Sequence, residues 1–298
     1  MKPYFFILLL ATLSSQAQEK SVKVNGNNYN VFLKGFENRK AATPVIIFEN
    51  GMGMGLDTWD TVIDQLSKIA PVFAYDRASV GKSDKTYEPP TVKRVSENLK
   101  AILNNLKIAP PYLLVGHSMG GVYVRGFAGL YPNEVSGLVF IDPADFTETK
   151  ENWNAIFRKI GVPEQKIDEM LYKRLYLPSK VDSLNYGPWS ESQVLGELRK
   201  TDFLELNDLP LPHVPTYFFI GGKFEVPVER RSKDFDQEAF FNERTNVNIL
   251  RWRKFIYSSG KGGNLIYLSK SGHFLHRDDP DAVIGNIKTM LKELKIQP

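Results

Sequence analysis

Val115-Gly116-His117-Ser118-Met119-Gly120-Gly121 is bounded by two apolar stretches, and its reading decides the fold. Tyr112-Leu113-Leu114-Val115 before it reads as a buried strand, and Val122 to Ala128 after it has the spacing of a packed helix. A strand that turns sharply into a helix needs small residues on either side of the turn. Gly116 and Gly120 supply them in a G-x-S-x-G pattern, which bends the backbone enough to lift Ser118 Oγ above the sheet. Ser118 is therefore the candidate nucleophile.

Working outward towards the N-terminus, Val45-Ile46-Ile47-Phe48 is a continuous apolar run of the kind found in a central parallel strand. It leads into Glu49-Asn50-Gly51-Met52-Gly53-Met54-Gly55. This glycine-rich loop lacks the G-x-x-x-x-G-K-[ST] spacing of a phosphate cradle. Beside a nucleophilic Ser118 it has another use, because amides near Met52 and at Met119 can together hold a developing oxyanion. A helix follows with Trp59, Val62, Ile63, Leu66 and Ile69 on one face, then the strand Pro71 to Tyr75. Asp76-Arg77 at its end reads as a structural ion pair or turn. Further upstream, Ser21 to Lys34 alternates around Asn25-Gly26-Asn27-Asn28, which predicts a hairpin.

Towards the C-terminus, Val135 to Ile141 is another apolar strand, with Asp142-Pro143-Ala144-Asp145 at its end. Alternating strands and helices imply a mostly parallel sheet of about eight strands with helices on both faces. Active residues then sit at the C-terminal edge. From Ala144 to Pro212, 69 residues carry helical but no strand signals. They read as a helical cap over residues 144–212, interrupting a core of residues 18–143 and 213–298. Its aromatics, Trp153, Phe157, Tyr172, Tyr176, Tyr186, Trp189 and Phe203, suit an apolar pocket or the cap's own packing. Val214 to Ile220 resumes the sheet, a segment rich in charge and aromatics runs to Gly263, and Leu265 to Leu268 is the last strand. Val283, Ile284, Ile287, Met290, Leu291 and Leu294 mark an amphipathic final helix.

A serine hydroxyl needs a base within hydrogen-bond reach and a carboxylate to orient that base. Of four histidines, His117 adjoins Ser118 and points elsewhere, and His213 stands at the wrong end of its strand. His273 follows the last strand directly after Ser271-Gly272, whereas His276 lies nearer the final helix and reads as structural. His273 is the candidate base. For the acid, Asp142 and Glu225 both follow strands whose edges can lie beside His273, and both keep the order Ser, acid, His. Asp142 is taken first and Glu225 is the alternative, with Lys223 and Arg230 as its potential ion-pair partners.

These residues resemble the α/β-hydrolase superfamily over nearly all of the chain after residue 17. The resemblance rests on Asn50-Gly51-Met52-Gly53, Tyr75-Asp76-Arg77 with Gly81 and Ser83, Gly116 to Gly121, and Ser271-Gly272-His273 before Asp279-Pro280. It implies the family's fold, Ser118 as nucleophile, His273 as base, and the Met119 and Met52 amides as oxyanion hole. Two departures stand out. Asn50-Gly51 replaces the usual His-Gly, and Gly222-Lys223-Phe224-Glu225 replaces the usual Gly-x-x-Asp. Leu138 to Pro143 is similar to members that place the acid after the strand following the nucleophile helix. Serine at position 118 argues against haloalkane dehalogenases and epoxide hydrolases, which use Asp there.

Composition narrows the function. The 298 residues are 42% hydrophobic and 24% charged, with a formal net charge of +4. Basic residues gather at Arg230-Arg231 and at Arg251, Arg253 and Lys254, but with acids nearby they read as solvated surface, and no nucleic-acid partner is expected. Cysteine is absent, which removes disulfides, a thiol nucleophile and thiolate metal sites. No H-E-x-x-H occurs, and neither metal nor cofactor is expected.

Lys2, the apolar Pro3 to Leu13, and the small residues Ser15 and Ala17 predict a signal peptide over residues 1–17 and an exported, periplasmic or secreted chain beginning at Gln18. The apolar stretch is shorter than the ~20 residues a spanning helix needs, so no stable membrane span is expected after cleavage. The expected activity is that of a serine esterase on a small-molecule acyl substrate. An aminopeptidase, a cofactor-free perhydrolase and a non-catalytic ligand binder on the same fold are the alternatives. Oligomeric state leaves no trace in the sequence.

Overall fold

The computed structural model describes residues 18–37, 39–40, 42–171 and 185–296. The expected signal peptide, and Tyr172 and Tyr176 of the expected cap aromatics, lie outside them. The hairpin is β1 (Gln18–Val24) with β2 (Asn27–Lys34), antiparallel and in register from Val24 opposite Asn27. Asn25 and Gly26 join the strands with φ of 51° and 87°, the double left-handed geometry of a two-residue turn. Asparagine and glycine tolerate that geometry at low cost.

β3 (Val45–Glu49), β4 (Val72–Tyr75), β5 (Tyr112–His117), β6 (Val135–Ile141), β7 (Thr216–Gly221) and β8 (Leu265–Leu268) complete an eight-stranded sheet. Its order is β1-β2-β4-β3-β5-β6-β7-β8. β2 runs antiparallel to β4, and every pair from β4 to β8 is parallel. After β3 the chain steps outward to β4, then returns to the other flank with β5. That reversal makes a topological switch point, and the crevice beyond the strand ends there is where such sheets place their sites. Register brings the ends together, Glu49 beside Gly116 and His117 beside Ile141.

Each sheet face carries its own apolar cluster. One face packs against α2 (Val92–Asn105), α3 (Met119–Leu130) and α8 (Gln237–Ser258), the other against α1 (Asp60–Ser67) and α10 (Pro280–Ile296). Between β6 and β7 stand α4 (Lys150–Lys159), α5 (Glu164–Leu171), α6 (Tyr186–Lys200) and the short α7 (Leu204–Asn207), with no strand among the described residues. Trp153 and Phe157 of α4 stack against Phe240 of α8 at 5.3 and 4.8 Å between ring centres. With Ile167, Met170 and Leu171 they form a third cluster, so these two aromatics hold the insertion to the core. The turn α9 (Leu275–Asp278) precedes α10.

Two features depart from the sequence reading. Residues 237–258 form a 22-residue helix where no element was assigned. Its buried residues Phe240, Asn248, Trp252 and Ile256 make a narrow stripe, while Leu250 and Tyr257 stay exposed, which blurs the periodicity. Arg251 is not solvated surface. It pairs with the fully buried Asp145, bonds Asn248 at 2.6 Å, and is only 15% exposed. Arg244 likewise pairs with buried Glu148 at 3.0 Å, so α8 anchors the segment that follows β6 through charge as well as apolar contact.

Trp252 stacks on Phe218 of β7 with ring centres 4.9 Å apart. Trp252→Ala is expected to destabilise the fold by about 3–5 kcal/mol through lost burial and the remaining cavity. Urea unfolding measures this, and a loss below about 1 kcal/mol would contradict the packing described.

Candidate active site

Ser118 occupies the turn between β5 and α3 with φ 52° and ψ −121°, a conformation costly for a non-glycine residue. Backbone bonds hold it there, from Ser118 N–H to Ile141 O at 3.1 Å and from the Gly121 and Ala144 N–H groups to Ser118 O at 2.9 Å each. The flanking glycines are needed sterically. A methyl on Gly116 would lie 2.6 Å from Gly120 O, and one on Gly120 would overlap the carbonyls of Glu49 and Asn50.

His273 Nδ1 lies 2.6 Å from Asp142 Oδ2. A carboxylate only accepts, so Nδ1 carries the proton and Nε2 is left as an acceptor. Asp142 directly follows β6, whose last residue Ile141 bonds the elbow, and Asp142 has its own N–H on Phe219 O at 2.9 Å and φ of 40°. Glu225 is placed differently. Its carboxylate pairs with Lys223 at 2.9 Å, is 46% exposed, and rests against Gly272. The structure therefore brings Asp142, not Glu225, to His273.

His117 has a role that its neighbour position concealed. Its ring packs against His273, Phe274 and His276, and Nε2 donates to the backbone carbonyl of His273 at 2.9 Å. The residue before Ser118 thus ties down the loop that carries His273. His276 is structural in its contacts, with Nε2 3.1 Å from Thr58 Oγ1 and its ring 4.6 Å from Trp59. His213 is exposed beside Gly260.

The loop after β3 is held from behind. Asn50 spans from Trp59 Nε1, which donates to its Oδ1 at 2.7 Å, to Tyr75 O, which accepts from its Nδ2 at 2.8 Å. Asn50 therefore braces the loop. Arg77, 2% exposed, donates to the carbonyls of Asn50 and Gly51 at 2.8 Å each. It is paired with Glu49 at 3.1 Å and with Glu191 of α6 at 2.6 Å. Met119 is the first residue of α3, so its N–H has no partner within the helix. Asp76 also plays a structural part, accepting from Asn30 Nδ2, Leu56 N–H and Lys82 N–H at 2.6–2.9 Å.

Glu49 and Glu191 were not singled out in the sequence. A carboxylate closing the apolar run Val45 to Phe48 was a usable signal, because a charge in a buried strand demands a partner and Arg77 follows the adjacent strand. Glu191 carries no such local mark.

A family model described as the alpha/beta hydrolase fold matches residues 44–161. Over that stretch the chain is similar to the α/β-hydrolase superfamily, and it carries the α/β-hydrolase fold. Among curated relatives, the Bacillus subtilis protein YqjL is 30% identical over 133 residues, 44% of this chain and 51% of that protein, so the match spans about half of its length. Solved structures that share the fold include the following two. The enol-lactonase from Burkholderia xenovorans LB400 has TM-score 0.61 at 17% identity, covering 92% of this chain and all of that one. The carboxylesterase CesB of Bacillus subtilis has TM-score 0.55 at 17% identity, covering 93% and 92%.

Burial holds the His117 imidazole well below the ordinary histidine range. Burial, with Arg277 adding to it, holds His276 at about 3. Both rings are neutral when folded and titrate near 6.5 when unfolded, so below that pH the unfolded chain binds protons that the folded one does not. Stability falls as pH drops from about 6.5 towards the folded values. His276 is expected to cost about 2 kcal/mol between pH 7 and pH 5, and His117 acts in the same direction. Urea unfolding of wild type and His276→Gln at the two pH values tests this. The variant should lose less than wild type, and equal losses would contradict a buried neutral His276.

Proposed function

We propose that the protein is an exported serine hydrolase of carboxylic esters that works through an acyl-enzyme on Ser118. The observation that carries this reading is the 2.6 Å bond from His273 Nδ1 to Asp142, made on a loop that His117 fastens beside the elbow. With Nδ1–H committed to Asp142, His273 Nε2 is free to accept the Ser118 hydroxyl proton as Oγ attacks the acyl carbon. The carbonyl electrons move onto oxygen, and the Met119 and Met52 N–H groups stabilise that charge. Collapse breaks the bond to the alcohol, which leaves with the proton from His273. Water repeats the sequence on the acyl-enzyme, giving the acid and restoring Ser118.

Asp142 is the acid of this triad, and Glu225 is a surface carboxylate engaged by Lys223. The helices of residues 144–212 serve as the cap that shields the acyl pocket. Several features support a hydrolase: the family-model match over residues 44–161, the strained elbow, and fold neighbours that include a carboxylesterase. For the first residues, the sequence pattern of residues 1–17 supports export.

On a panel of p-nitrophenyl esters, Ser118→Ala is expected to lose ~10⁴-fold or more in kcat/KM. Asp142→Asn should lose about 10³-fold or more, and Glu225→Gln should stay within about threefold. A larger loss in Glu225→Gln than in Asp142→Asn would overturn the acid assignment. Export is tested by N-terminal sequencing of protein recovered outside the cytoplasm, which should begin at Gln18. Recovery only of cell-retained protein starting at Met1 would contradict it.

A further inference from the structure

Arg77 and Glu191 between them hold three consecutive peptide units of the loop after β3. The Asn50 and Gly51 carbonyls each accept from Arg77 at 2.8 Å, and the Gly53 N–H donates to Glu191 Oε2 at 2.8 Å. A trans peptide is planar, with C=O and N–H opposed. Fixing the Gly51 carbonyl on a guanidinium therefore points the Met52 N–H the other way, and fixing the Gly53 N–H turns the Met52 carbonyl away. The two constraints flank Met52 on both sides.

Glu191 does both jobs at once. Its Oε1 takes the Arg77 Nε at 2.6 Å while Oε2 takes the Gly53 N–H, and its side chain is 1% exposed. Gly53 has φ +65° and lies so close to α6 that a methyl there would sit 2.5 Å from Pro188 Cγ. The contact between α6 and the loop is thus built from a charge pair, an amide bond and a close backbone approach. Glu191 comes from the insertion between β6 and β7, not from the sheet that carries Ser118.

We infer that Glu191 is a positioning residue for ester hydrolysis, setting the Met52 N–H of the oxyanion hole from the helical insertion through Gly53 and Arg77. This rests on the serine hydrolase reading above. The oxyanion hole is then incomplete unless α6 is seated, so the insertion contributes to rate as well as to substrate selection. Electrostatics act in the same direction. Arg77 on the Gly51 carbonyl polarises the peptide whose N–H meets the oxyanion, strengthening that donor.

The test uses the full protein with Glu191→Ala and the isosteric Glu191→Gln, the latter guarding against misfolding of the former. Four quantities are measured well below the melting temperature: kcat and KM on p-nitrophenyl acetate, the rate of fluorophosphonate labelling, and the affinity of a trifluoromethyl ketone that forms a tetrahedral adduct. Glu191→Ala is expected to lower kcat by about 10–100-fold with KM within twofold. Ketone affinity and labelling rate should fall in proportion, and Glu191→Gln should be less impaired than Ala. A merely structural role would lower the melting temperature and leave these ratios unchanged. If wild type reacts and both variants keep wild-type kcat and ketone affinity, the inference is overturned and the hydrolase reading stands. If wild type itself neither turns over esters nor labels, the reading fails and takes the inference with it.

Discussion

Arg77 brings a full positive charge into the protein interior beside two carboxylates, Glu49 and Glu191, and the geometry of the candidate site depends on how that charge is satisfied. All of its nitrogens are used, on Glu49, Glu191 and the carbonyls of Asn50 and Gly51. Its guanidinium also lies 5.0 Å from the Tyr123 ring centre. Taking such groups out of water costs several kcal/mol per ion, recovered only when every hydrogen bond is made. With two carboxylates and one cation the cluster carries surplus negative charge. Tyr75 donates its hydroxyl to Glu49, and burial pushes that carboxyl up from its ordinary value. The loop beside Ser118 is therefore clamped by a network whose members share Arg77 as partner.

Three separate parts of the chain converge on that network. Glu49 ends β3, Arg77 follows β4, and Glu191 stands on α6, 114 positions away from Arg77 in sequence. The strand reversal between β3 and β5 opens the crevice, the elbow fills one side of it, and the Asn50 to Gly53 loop forms the other. Gly120 joins the two halves, because its Cα approaches the Glu49 and Asn50 carbonyls too closely for any side chain. On the far side, His117 links the elbow to the His273 loop and Asp142 meets His273. The elbow is held by backbone hydrogen bonds and the loop and base by side chains that bond to them, so little rearrangement is needed when charge develops.

Much of this was legible in the sequence because it is local. Asn25-Gly26 demands a two-residue hairpin, continuous apolar runs mark β3 to β7, and Gly116 and Gly120 frame the elbow. His273 was separable from His276 by its distance from the strand end. Asp142 and Glu225 were not separable in this way, since each follows a strand and only three-dimensional register decides which edge faces His273. The residues of 237–258 hid a helix because their apolar side chains are spread around its circumference. Arg251 looked solvated for a related reason, as its partner Asp145 lies more than a hundred residues earlier. Glu191 is the extreme case, its role existing only once α6 is packed on the Gly53 loop.

The central claim, that Ser118 is an activated nucleophile, is tested most directly by trapping its covalent intermediate. Protein mixed with a slowly deacylating p-nitrophenyl ester, quenched in acid and digested, would be mapped by mass spectrometry. The account predicts one acyl group per chain on the peptide containing Ser118, absent when His273 is replaced by alanine. An unmodified Ser118 during ester turnover, or an acyl group on another residue, would contradict it.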